Sequence, residues 1–175
     1  MTVCGGACAG YAHGARPCRA HPDRVAVPAM ALHLLKLCVG PASIGELEAR
    51  IAGHREVALS VGADPRPSHV TRMVPKRAAS IAGQGSIYWV MKGALSCRQP
   101  ILAIEPFTGT DGIDRCRLVL DPAVTPVAPR PCRPFQGWRY LEPADAPPDL
   151  DRASAGDIAE MPESLRRELA ALGLI

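Results

Sequence analysis

Apolar positions along the chain change spacing several times, and each change marks an element. Residues 31–38 (ALHLLKLC) form a short apolar run that reads as a buried strand, broken by Gly40 and Pro41. Ile44, Leu47, Ile51 and Ala58 then recur at helical intervals behind Ser43-x-x-Glu46, a capping box, so a helix is predicted to about residue 58. Residues 64–67 are a Pro-rich loop. Residues 68–74 alternate as a strand up to Pro75, and 76–82 read as a short helix closed by Gly83.

Residues 86–92 (SIYWVMK) give the strongest strand signal. Alternation puts Ile87, Trp89 and Met91 on a core face and Tyr88 and Lys92 on the opposite, ligand-accessible face. A long strand over 94–107 is interrupted at Pro100, which marks an edge or bulge. It turns at 108–112 and returns over 113–120 as a hairpin. The proline-rich stretch 121–134 must run extended, and a last helix starts near Pro162 and stops at Gly173. These elements predict an α+β fold: a small curved, mostly antiparallel sheet or partly closed β-barrel with two or three helices.

Composition narrows the class. With 18 Pro and 16 Gly in 175 residues, an all-helical bundle is excluded, and no apolar run reaches the roughly 18 residues of a membrane span. Residues 30–150 read as a single domain and 151–175 as a linker and C-terminal helix. Residues 1–29 have no hydrophobic period and no apolar signal core. They read as a disordered extension or a mis-assigned start, with Met30 the expected true start. Their Cys4, Cys8, Cys18, His13 and His21 fit no common zinc-finger spacing, so no metal is expected. Cys38, Cys97, Cys116 and Cys132 are far apart and read as free thiols. No cofactor motif is present.

The net charge of +3 hides an asymmetry. Residues 30–140 carry 14 Lys and Arg against 8 Asp and Glu, whereas 141–175 carry 3 against 8. A basic body with an acidic tail suits a phosphate-bearing partner. Three basic or basic–aromatic groups stand out. His69, Arg72, Lys76 and Arg77 gather at a strand-to-helix junction. Tyr88 and Lys92 share a strand face, where they could stack on and pair with a nucleotide. Arg133, Phe135, Gln136, Trp138, Arg139 and Tyr140 alternate stacking faces with guanidinium groups and an amide. The binding reading requires Arg72, Lys76, Lys92, Arg98, Arg133 and Arg139 to line one groove, and their scattering over the surface would count against it.

Long motifs at 33–40 (HLLKLCVG), 69–78 (HVTRMVPKRA), 85–93 (GSIYWVMKG), 98–105 (RQPILAIE), 111–122 (DGIDRCRLVLDP) and 133–150 (RPFQGWRYLEPADAPPDL) resemble, in the same order, a family of small bacterial proteins known as domain of unknown function 1489. The resemblance implies a cytoplasmic bacterial protein and carries no activity or catalytic residues with it. The residues themselves favour a small RNA- or nucleotide-binding module without a membrane partner. One alternative is an amidohydrolase-like enzyme acting on a nucleoside or related small molecule, with Thr71, Lys76 and Glu105 as its available trio. Another is a structural protein–protein interaction module.

Overall fold

Two strands that pair in parallel need a long crossover between them, and this chain supplies one early. The computed structural model describes residues 31–151, together with 161, 162, 164, 165, 168, 169 and 172. In it β1 (His33–Leu37) is followed by α1 (Ile44–Ser60), β2 (Ser68–Thr71) and a 3₁₀ turn (Ala78–Ser80) before β3 (Ser86–Met91) returns alongside β1. The remaining strands are β4 (Ala94–Thr108), β5 (Asp114–Leu120), β6 (Thr125–Pro131) and β7 (Trp138–Leu141), with a second 3₁₀ turn at Pro143–Asp145. The sheet runs β2-β5-β4-β3-β1-β7, and β6 also pairs with β4.

Strand β4 organises the molecule by changing partners along its length. Residues 94–98 lie between β3 and β6, and from Ile101 onward the strand pairs with β5. Register shifts fall between Leu95 and Cys97 and between Ile101 and Ala103, flanking Pro100, where the sequence predicted an edge or bulge. The β3–β4 connection is the two-residue turn Lys92-Gly93, at φ 47° and 79°; both residues are left-handed, as a type I′ turn requires.

The sheet is mixed and α+β, as expected, but it does not close. Strands β2 and β7 end the pairing order without pairing to each other, so the barrel reading is replaced by an open sheet. The helix count also falls. Among the described residues α1 is the one full α-helix, and the short helix predicted over 76–82 is a single 3₁₀ turn. With Pro75 before it and Gly83 after it, that segment has room for little more. In the C-terminal helix predicted from Pro162, the described residues Ser164, Leu165, Glu168 and Leu169 are helical. The extension 1–29 lies outside the described residues.

Helix α1 starts where its cap requires. Ser43 Oγ accepts from the Glu46 amide at 3.2 Å, and Glu46 Oε2 accepts from the Ala42 amide at 2.9 Å, one residue before the cap. The helix lays Leu47, with Ile44 and Ile51, on one face of the sheet, over Leu34, Ile87, Trp89, Cys97 and Leu118. The opposite face is covered too: Tyr88, Val90 and Leu95 pack with Val127, Phe135 and Leu141. All six residues of β3 are therefore buried. Alternation correctly separated the two faces, but the face expected to be open is a second core.

The segment after β7 closes that second core. It bonds to β6 through Ala128 N to Pro148 O and Leu150 N to Pro126 O, both at 2.9 Å. It is also fastened by Arg98, which is 3% exposed and donates from Nε and Nη2 to both Asp149 oxygens at 2.7 Å.

Gly85 shows how tightly the entry to β3 is built. A side-chain carbon there would run into the backbone carbonyl of Leu32, which cannot swing aside. Gly85→Ala is expected to cost about 2 kcal/mol, as overpacking does, and a chemical denaturation curve would read it as a lower midpoint with unchanged slope.

Candidate functional site

Strand β2 ends at Thr71, three residues earlier than alternation predicted. Thr71 Oγ1 accepts from the Met73 amide at 3.2 Å, a local bond that turns the chain out of the sheet. Residues 72–77 then cross to β7, at the far end of the pairing order. Trp138 donates from its indole Nε1 to the Met73 carbonyl at 3.2 Å. The Arg77 amide donates to the Tyr140 hydroxyl at 3.2 Å, and the Arg77 guanidinium reaches Glu142 at the same distance. Buried Pro75 stiffens the crossing.

Between this loop and β7 lies an open recess of about 590 Å³, lined by Met73, Val74, Lys76, Trp138, Arg139 and Tyr140. The Trp138 and Tyr140 rings meet edge to face at 5.0 Å. Two motifs more than sixty residues apart in the chain thus form one surface. It has an apolar and aromatic floor and one cation, Lys76, that no carboxylate pairs among the described residues. Arg139, between Trp138 and Tyr140 in β7, borders the recess through its strand position, but its guanidinium turns to the opposite face, over the Phe135 ring of the second core at 4.9 Å from its centroid.

Other expected site residues are placed differently. Tyr88 and Phe135 are core residues, and Arg98 is held in its buried ion pair, so none of the three can stack on or bind a ligand as expected. The reason is the covered second face, which single-strand alternation cannot reveal. Lys92 is exposed on the β3–β4 turn, and Arg72, Arg133 and Gln136 are exposed outside the recess lining, so the predicted basic groove shrinks to one recess.

The trio Thr71, Lys76 and Glu105 is not gathered. Thr71 pairs with Cys116 and Glu105 with Arg117, and these successive β5 residues point to opposite faces. Glu105 instead stands 3.8 Å from Arg117, on an exposed surface.

His69 faces the interior. Its ring meets Trp89 edge to face at 5.7 Å, and its buried Nε2 has no hydrogen-bond partner. Burial, with the charges of Lys36 and Arg50 added, pushes its pKa down to about 4, so it is neutral at ordinary pH. Lys36 is itself lowered by burial. Sequence reading passed over Lys36 and Arg50. The available signal was a lone lysine inside the apolar run of β1.

A family model covers residues 34–175, most of the chain and every residue of the recess. The chain belongs to DUF1489, the family described as protein of unknown function. No curated protein and no solved structure matches it. For this DUF1489 protein, function must be read from the site itself. Among the described residues no group of three His, Cys, Asp or Glu side chains is placed to hold a metal ion, and no helix is long and apolar enough to cross a membrane.

Proposed function

We propose that this DUF1489 protein binds single-stranded RNA or a nucleotide in the recess between residues 72–77 and β7. The observation that carries this reading is the joining of the basic segment 72–77 to the aromatic strand β7, fastened by the indole of Trp138 on the Met73 carbonyl. The apolar floor suits a base, and Lys76 at its margin suits an adjoining phosphate. The basic balance of residues 30–140 supports the same partner through longer-range attraction.

The test is titration of a fluorescently labelled single-stranded RNA at several salt concentrations. Binding should weaken steadily with added salt. Lys76→Ala should weaken it and reduce the logarithmic salt slope by about one, whereas Arg139→Ala, on the other face of β7, should change it less. Absence of any binding at low salt would end the proposal. Equal binding by Lys76→Ala would move the site elsewhere.

A further inference from the structure

A second group of basic side chains lies on the sheet face beneath α1 and adjoins the recess at Trp138. Register sets Lys36 of β1 beside Trp89 of β3 on one side and Trp138 of β7 on the other. His69 reaches the same Trp89 from β2, edge-on at 5.7 Å. Arg50 comes down from α1, with Nη1 donating at 2.9 Å to the carbonyl of Val39, three residues beyond Lys36. Trp89 is thus flanked by Lys36 and His69, with Arg50 above the end of β1.

None of these three side chains has a carboxylate partner among the described residues. Lys36 has only a long bond to the Gly137 carbonyl, at 3.4 Å. His69 Nε2 is buried and unbonded. A buried polar atom without a partner is costly, and so is an unpaired, half-buried ammonium. Around His69 the charges come from Lys36 on β1 and Arg50 on α1, while β3 presents Trp89 and β5 presents the uncharged Leu118. Glu48, also on α1, acts on Cys97 rather than on His69. An anion would satisfy all three basic groups at once.

We infer that Lys36, His69 and Arg50 form a subsite for a phosphate group, whether free or terminal on a nucleotide. A bound phosphate anion, singly charged in the acid range where His69 titrates, accepts from the Lys36 ammonium and the Arg50 guanidinium. It also gives His69 Nε2–H an acceptor, which favours the protonated ring and raises its midpoint. This subsite does not depend on the recess reading: its three residues lie outside the recess lining.

The test is an NMR titration of the histidine ring signals of the full chain, with and without millimolar inorganic phosphate. The unliganded His69 should titrate near 4. Phosphate should raise its midpoint by at least about one pH unit, which is a tenfold tighter hold on the anion by the protonated form. Lys36→Met should abolish that rise and Lys36→Arg should keep it. The arginine variant preserves the charge, so its spectrum also separates loss of the anion from loss of the fold.

Lys76→Ala, which removes a cation of the recess, should leave the phosphate effect unchanged. A nucleoside monophosphate acting at far lower concentration than inorganic phosphate would identify the source as a nucleotide, and equal potency would identify free phosphate. An unmoved His69 midpoint with both probes, or an equal rise in Lys36→Met, overturns the inference.

Discussion

Asp149→Ala is expected to lower the unfolding free energy by about 3 kcal/mol, the low end for breaking a buried ion pair. The magnitude follows from the asymmetry of the pair. The Arg98 side chain is 3% exposed and that of Asp149 is 29% exposed. Removing the carboxylate leaves a guanidinium deep in the protein without the two charge-assisted bonds at 2.7 Å that compensate its burial. Arg98→Leu with Asp149→Leu removes both charges and should cost less than Asp149→Ala alone. Urea unfolding of the two variants measures this, and a double variant less stable than the single one would show that the pair itself contributes most of the stability. The loss should also be local in its first effect. Asp149 fastens the segment that covers Tyr88 and Phe135, so amide protection should fall first around Val127 and Leu150.

Acid should destabilise the fold well above the pH at which carboxylates protonate. His33 is 1% exposed, and its Nδ1 accepts a hydrogen bond from the Ser86 amide at 3.1 Å. That role requires an unprotonated nitrogen. Burial, and then the charge of Arg98, bring its pKa from 6.5 to about 4. In the unfolded chain the same ring takes a proton near 6.5. Between those two values the unfolded state holds a proton that the folded state does not, so stability falls as pH drops from about 6.5 to about 4 and then levels off for this group. The contribution of His33 reaches about 3 kcal/mol across that window. His69 has the same sign and window, with a smaller effect because it is partly exposed. Denaturation midpoints across the range should fall steeply, and His33→Asn, which keeps an acceptor at the Ser86 amide but cannot titrate, should flatten the curve. An unchanged slope in that variant would remove His33 as the cause.

How far the sequence carried these conclusions depends on what each signal senses. Local signals transferred well. The capping box set the start of α1, Pro100 marked the irregularity in β4, and the 108–112 turn made its hairpin. These depend on neighbours in the chain. Burial did not transfer, because it depends on what lies across the sheet. Tyr88 and Phe135 looked like exposed aromatics in basic surroundings, and the chain from 125 to 150 covers both. Arg98 looked like one more cation of a groove, and its partner is fifty-one residues away. The recess was half legible: one wall stood out as a basic cluster and the other as a basic–aromatic motif, but nothing local joined them. The join is an indole bonded to a backbone carbonyl, and a backbone carbonyl leaves no trace in the sequence.

The topology also has a temporal side. β3, β4, β5 and β6 follow one another through short connections, so their pairing closes small loops and forms readily. β1 is different. It stands between β3 and β7, and both neighbours come from far along the chain. Seating it requires closing the long loop through α1 on one side and bringing back the end of the sheet on the other. β7 has no other sheet partner, so the recess wall that carries Trp138 and Tyr140 joins the sheet only when β1 is in place. The recess is therefore expected to be complete only when the last pairings close, after the β3–β6 portion has formed.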